Sequence, residues 1–254
     1  MSWPVYVINM SANTTRMAAV AAELERLDIS FSRFEAVNGR ALSEDELTRV
    51  YDPEANLKRA RHEMIGPELG CYLSHLALWE QITAGEAEGG IILEDDFACA
   101  DDFGAVLEAL AQDEGRWEIL KLFSARVGQK VMDNRPLVTG RDIAVPYKVP
   151  NTTLGYAIRR DAAAQLAARA LPVSRPIDED HKHFWEHGMR IALVTPCPLA
   201  FSVNSAEAGT ITAARRTKTK QSSGAALAHV WRSLRFRVSY LANLHWHRFV
   251  RRRR

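Results

Sequence analysis

The sequence predicts an α/β protein with a mostly parallel sheet flanked by helices, and three observations carry that expectation. The first is the opening. Val5-Tyr6-Val7-Ile8 is a short β-branched run between Pro4 and Asn9, Arg16 to Leu27 has apolar residues at helical spacing (Met17, Val20, Ala21, Leu24, Leu27), and Phe31 to Val37 again has strand composition. Strand, helix, strand in that order favours a parallel pair joined by a crossover. The second is Gly89-Gly90-Ile91-Ile92-Leu93, where a glycine pair releases a fully apolar strand that ends abruptly in Glu94-Asp95-Asp96. The third is continued alternation. Glu68 to Ile82 reads as a helix through Leu69, Leu73, Leu76 and Trp79, Trp117 to Phe123 as a strand, Asp161 to Leu171 as an alanine-rich helix opened by a capping residue, and Ile191 to Val194 as a last strand before Thr195-Pro196.

With 254 residues, 47% hydrophobic and 25% charged, the chain can enclose a substantial core, and one domain plus an appendage is expected. The net charge of +2 conceals two unlike pieces. Residues 1–207 hold all 31 acids against 21 Lys and Arg, whereas Ala208 to Arg254 hold 12 Lys and Arg and no acid. The expected organisation is therefore an acidic body over 1–207, a flexible connection over 208–224 rich in Ser, Thr, Ala and basic residues, and a basic segment over 225–254.

Cys71, Cys99 and Cys197 are odd in number and widely spaced, which suits reduced thiols better than a disulfide framework or a cysteine zinc site. The start MSWPVYVINM lacks the pattern of a secretion signal, and no uncharged apolar stretch approaches the roughly 20 residues of a membrane span. A cytoplasmic protein that meets a membrane only at its surface is expected. The basic segment supplies the means, with Leu227, Val230, Trp231, Leu234, Val238 and Leu241 at helical spacing, Arg232 and Arg235 beside them, and Arg251 to Arg254 at the end. Anionic lipid would attract such a helix by about 1 kcal/mol per basic residue. Phe236 and Arg237 break the stripe, so packing on the body or on a second subunit, as in a homodimer, is the competing expectation. Nucleic acid is not an expected partner, because the acidic body opposes it.

The chemistry is expected at Glu94-Asp95-Asp96. In open α/β sheets ligands bind in the crevice outside the carboxyl ends of the strands. Three adjacent acids there repel one another unless something positive neutralises them. Mg²⁺ or Mn²⁺, held by one or two carboxylates, water and diphosphate oxygens, would do so and would stabilise charge on a departing nucleoside diphosphate. The plain alternative is a polar loop mouth in which Asp95 or Asp96 caps the next turn. A second cluster, Asp178-Glu179-Asp180, follows Pro176-Ile177 and could instead be an acidic first helical turn. His183 and His187, four apart, would share a helix face as a possible metal pair, although no third ligand is evident. Ser74 and His75 are sequence neighbours and diverge on a helix, which argues against a nucleophile–base pair.

Several ordered segments resemble glycosyltransferase family 25, the lipopolysaccharide β-galactosyltransferases and their collagen-modifying relatives. They are Val7-Ile8-Asn9-Met10 with Arg16 beyond it, Phe34-Glu35-Ala36-Val37-Asn38-Gly39, Gly70-Cys71-Tyr72-Leu73-Ser74-His75, Ile91 to Asp96, and Thr153 to Ile158 followed by Asp161-Ala162-Ala163. The likeness extends over most of residues 4–200; Met10 and Arg159-Arg160 depart from the usual pattern. It implies a GT-A-like, Rossmann-type fold, a UDP-sugar donor, usually UDP-galactose, and inversion at the anomeric carbon. By the same resemblance Glu94 and Asp96 form the metal motif, with Asp96 the first-choice ligand. Asn9, Arg16, Ser74, His75, Glu94 and Asp95 are expected to approach the nucleotide-sugar, while Asp178 or Asp180 would be the base that takes the acceptor's proton. The implied acceptor is a lipid-linked saccharide at the inner face of the cytoplasmic membrane. A non-catalytic saccharide- or nucleotide-binding member and a metal-dependent phosphohydrolase are the alternatives.

Overall fold

A computed structural model describes residues 2–60, 62–126, 128–202 and 234–246. In chain order the elements are β1 (Val5–Asn9), α1 (Thr14–Glu25), β2 (Ser32–Glu35), α2 (Glu44–Val50), α3 (Pro53–Arg59), α4 (Gly66–Ala84), β3 (Gly89–Glu94) and β4 (Phe97–Cys99). There follow α5 (Phe103–Gln112), β5 (Ile119–Lys121), β6 (Val131–Val138), β7 (Arg141–Pro146), β8 (Gly155–Arg159), α6 (Arg160–Ala167), α7 (Ile177–Lys182), β9 (Ile191–Thr195) and β10 (Leu199–Phe201). A last helix, α8, covers residues 234–246.

Eight strands form one sheet in the order β2-β1-β3-β8-β5-β9-β7-β6. The ladders β1–β2, β1–β3 and β5–β9 are parallel, and β8 and β7 pair antiparallel with their neighbours, so all the other strands of the sheet run one way. This is the Rossmann-type, mostly parallel sheet that the sequence predicts. Side chains alternate across it. Val5 and Val7 of β1 and Ile91 and Leu93 of β3 face α1 and α5, while Tyr6, Ile8 and Ile92 face α4 and α6. Both faces are thus covered, which is why these strands read as unbroken apolar runs.

The structure amends several boundaries. The expected strand from Trp117 to Phe123 is regular only over β5. Helix α6 begins at Arg160 with Arg159 in the capping position, so Asp161 lies within the first turn and accepts a hydrogen bond from the Ala162 amide (2.8 Å) instead of capping the helix. The expected connection over 208–224 lies outside the described residues, as do Leu227, Val230, Trp231 and Arg251 to Arg254 of the basic segment.

Helix α4 is seated by glycines. A methyl group on Gly39 would overlap the Gly66 carbonyl and the Gly70 amide, and one on Gly70 would overlap the Val37 carbonyl. Only backbone without Cβ allows the loop after β2 to cross α4 so closely. That crossing fixes the height at which the first turns of α4 meet the edge of the sheet.

Candidate active site

The chain leaves β1 for β2 on one side and later returns to β3 on the other, so the crevice between the carboxyl ends of β1 and β3 is a topological switch point. Asn9 ends β1 and Glu94 ends β3, with Asp95 and Asp96 in the turn that follows. Lys121 ends β5, and Thr152 and Thr153 precede the reversed strand β8, which brings them to the same edge.

The three acids have three different environments. Asp95 is held from both sides: Asn9 Nδ2 donates to Oδ2 (2.7 Å) and Arg16 pairs with Oδ1 (2.8 Å). Asn9 and Arg16, expected near the nucleotide, are committed here to a carboxylate of the cluster. Glu94 turns inward, accepting a hydrogen bond from the Thr153 hydroxyl, and its carboxylate lies 3.6 Å from His75 Nε2. Burial works to raise its pKa, but His75, Thr153 and Lys121 outweigh it and hold the carboxyl below its ordinary range. Asp96 has less help, from Arg16 and its own backbone amide. Its Oδ1 is buried without a hydrogen-bond partner, and burial, with Glu94 and Asp95 close by, pushes its pKa up to about 7.

Beneath Glu94 lies a buried polar layer. Tyr156 Oη joins His75 Nδ1 (2.9 Å) and accepts from Trp79 Nε1 (2.9 Å). His75 Nε2 has no hydrogen bond, and burial lowers the ring's pKa, so the imidazole is neutral. Lys121, 0% exposed, donates to the Thr152 carbonyl (2.9 Å) and to His181 Nδ1 (2.7 Å). While Lys121 keeps its proton the ammonium has no lone pair, and His181 Nδ1 is then the acceptor. Burial pulls Lys121 down to about 7, against the opposing pull of Asp178 and Glu94. Glu94 and Asp178 also both push up the thiol of the partly buried Cys71, after burial itself, so the two acidic clusters bear on one space. Cys71 Sγ, His75 Nε2 and a Glu94 oxygen lie within 4.8 Å of one another, the one such metal-capable group among the described residues.

At the second cluster the structure separates the two candidate bases. Asp180 is 5% exposed, ion-paired to Arg175 Nε (2.6 Å), hydrogen-bonded by Tyr72 Oη (2.9 Å) and 3.3 Å from His187 Nε2. Burial alone would raise its pKa, yet His187, Arg175 and Tyr72 keep it well below the usual carboxylate range. A carboxylate so enclosed anchors the turn. Asp178 is only partly buried and faces the Lys121 side. The suggested His183–His187 pair does not form, because α7 stops at Lys182, His183 Nδ1 meets the Glu179 carbonyl (2.8 Å) and His187 serves Asp180. Ser74 is likewise committed: its Oγ donates to the Gly70 carbonyl (2.7 Å) and accepts from the Val37 amide (2.8 Å), locking α4 to the loop after β2.

Lys121 and Arg175 are residues that the sequence reading passed over. Both carried a signal. Lys121 is the lone charge inside Ile119-Leu120-Lys121-Leu122-Phe123, and a charge in a buried strand is costly enough to need a reason. Arg175 sits five residues before Asp180, close enough to neutralise the second cluster from within.

Fold and site together define a class, the open α/β proteins that hold a ligand outside the carboxyl ends of their strands, here against an acidic rim. Within it, the profile of glycosyltransferase family 25 (LPS biosynthesis protein) matches residues 2–180, and the chain belongs to that family. It is 28% identical over 182 residues to a glycosyltransferase 25 family member of Aedes aegypti, covering 69% of this chain and 30% of that protein. It is 26% identical over 189 residues to procollagen galactosyltransferase 2 of Mus musculus (69% of this chain, 29% of that protein). It is also 26% identical over 218 residues to the inactive glycosyltransferase 25 family member 3 of the same species (76% and 36%). The chain thus spans about a third of the length of these curated relatives.

Proposed function

We propose that this chain is an inverting, divalent-metal-dependent transferase that moves a hexose from UDP to a hydroxyl of a lipid-linked saccharide. Likeness to relatives named galactosyltransferases makes galactose the hexose of choice. The observation that carries the reading is Asp96, the least compensated acid of the cluster, whose Oδ1 is buried and unpartnered at the switch point of the sheet. An anion in that state suits a divalent cation, and Asp96 with Glu94 offers the hard oxygen donors that Mg²⁺ or Mn²⁺ prefers. Bound there, the ion would offset charge gathering on the leaving diphosphate.

The chain's own groups do the rest. Arg16 and Asn9 fix Asp95, so the acidic rim keeps its shape before a ligand arrives. Lys121 lies behind Glu94 and supplies positive potential from below. Asp178 takes the proton of the attacking acceptor hydroxyl as the new bond to the anomeric carbon forms and UDP departs with the electron pair of the bond that breaks. Asp180, through Arg175, holds the turn that carries Asp178.

The test is UDP release from a panel of UDP-hexoses in the presence of a saccharide acceptor, with and without Mn²⁺, with Asp96→Ala as control. Turnover should be greatest with UDP-galactose, require the metal and vanish in the variant. Metal-independent turnover that survives Asp96→Ala would overturn the assignment. Calorimetric binding of UDP with no turnover of any donor would favour a non-catalytic member, the second reading, which relatives named inactive bring into play.

A further inference from the structure

Helix α8 has two apolar faces, and among the described residues only one of them packs on the body. On one side Phe236, Tyr240 and Leu244, four residues apart, pack on the body. Tyr240 Oη accepts a hydrogen bond from the Val149 amide (2.8 Å), and the rings of Phe236 and Tyr240 meet Trp185 and Phe184. A second, outward side carries Leu234, Val238 and Leu241, exposed by 52%, 60% and 50%, with His245 also exposed between them and Ala242 at their edge. At 3.6 residues per turn these fall in one stripe, flanked by Arg235 on one side and Arg237 on the other. Trp246, 64% exposed, stands beyond the Arg235 edge.

We infer that this second face of α8 is a docking surface for an anionic lipid membrane, laid flat with the stripe among the acyl chains and the arginines at the headgroups. Charge selects that occupant. Ala208 to Arg254 contains 12 Lys and Arg and no acid, while residues 1–207 carry 31 acids against 21 Lys and Arg, so an anionic surface attracts this part of the chain and repels the rest. A nucleic acid would use the arginines but gain nothing from Leu234, Val238 and Leu241. A basic helix with an apolar stripe and an aromatic residue at its border is the composition of an interfacial helix. Because Phe236 lies 5.0 Å from the ring of His183, which closes the turn carrying Asp178, docking also sets the site at a fixed height over the membrane. That last consequence rests on the proposed role of Asp178; the docking does not.

The experiment is co-sedimentation of the full chain with vesicles of phosphatidylglycerol and phosphatidylethanolamine, against vesicles of phosphatidylcholine alone. The full chain should bind the anionic vesicles and release from them at high salt. The triple variant Leu234→Ser, Val238→Ser, Leu241→Ser should bind about tenfold more weakly at a melting temperature close to the wild type's, since all three side chains are at least half exposed. A second variant, Arg235→Gln with Arg237→Gln, should weaken the anionic preference while keeping the body contacts. Equal binding by the wild type and the triple variant would overturn the inference. So would equal binding to neutral vesicles, or a solution dimer that the triple variant abolishes in a protein that binds no vesicle. Because sedimentation is read without turnover, failure here is distinct from failure of the transferase reading.

Discussion

Two clusters of three acids, Glu94 to Asp96 and Asp178 to Asp180, look alike in sequence and are treated in opposite ways by the fold. In the second, the last two acids each have a partner of their own: Asp180 has Arg175, Tyr72 and His187, and Glu179 has Lys182 (2.5 Å). In the first, Arg16 is spent mainly on Asp95, Glu94 relies on neutral His75, Thr153 and the more distant Lys121, and Asp96, with only Arg16's shared charge and its own backbone amide, is the least compensated of the three. Folding tolerates one such charge only at a cost of the order of its desolvation, whereas a compensated buried acid is part of the scaffold. Where the fold neutralises its acids it is building; where it leaves one bare it is making room for a ligand.

The strongest way to break that contrast is to remove one acid from each cluster. Asp96→Asn should lower turnover by about 100-fold or more, the scale of losing a group that stabilises transition-state charge, while leaving the metal-free protein as stable or slightly more so. Steady-state UDP release and thermal melting without metal read the two halves. Asp180→Asn should do the reverse. It removes one of the two carboxylates that Arg175 pairs with, Glu186 keeping the other, and should cost about 2 kcal/mol of stability in urea unfolding, with the turnover of the folded fraction largely kept. If Asp180→Asn abolished turnover at full stability, the two clusters would have been assigned the wrong way round.

Much of this was legible before any coordinates. The β-α-β opening, the apolar run into Glu94 and the helices around Leu76 and Leu166 are all written as periodicity, and the acidic rim as composition. Direction was not. Thr153 to Ile158 reads as a strand whichever way it runs, and its reversal is what brings Thr153 onto Glu94. The β6–β7 hairpin was missed although its turn, Thr139-Gly140, holds Gly140 at a positive φ of 80°; Pro136 makes poor strand composition and is accommodated because β6 is an edge strand. The outward stripe of α8 was visible, but Phe236 looked like a fault in it, because one helix with two apolar sides cannot be told from an imperfect one until the body is seen against Phe236, Tyr240 and Leu244.

A smaller effect probes the charge beneath the first cluster. Burial holds Lys121 near 7 against an ordinary 10.5, so between those values the unfolded chain keeps a proton that the folded one has released. Stability must therefore rise with pH across that window, and the penalty is full below about pH 7. Lys121→Met removes this dependence. The difference in unfolding free energy, wild type minus variant, should move in favour of the wild type by on the order of 2 kcal/mol between pH 7 and 10. A flat difference would mean that Lys121 stays charged, and that the first cluster is better compensated than the contrast requires.

The least effect is expected at Ser74, and it sharpens where the scaffold stops and the ligand site begins. The resemblance placed this hydroxyl at the nucleotide, but both of its hydrogen bonds are internal, to the Gly70 carbonyl and the Val37 amide. Ser74→Ala leaves the Val37 amide, on the loop that Gly39 and Gly70 press against α4, without its acceptor. The cost should be about 1 kcal/mol of stability, a fall of a few degrees in melting temperature. If the hydroxyl is scaffold, the KM for the UDP-sugar stays within about twofold of the wild type, because a uniform loss of stability leaves the folded site intact. A tenfold rise in KM at an unchanged melting temperature would return Ser74 to the ligand and extend the bare, unbuilt part of the site from the end of β3 onto α4.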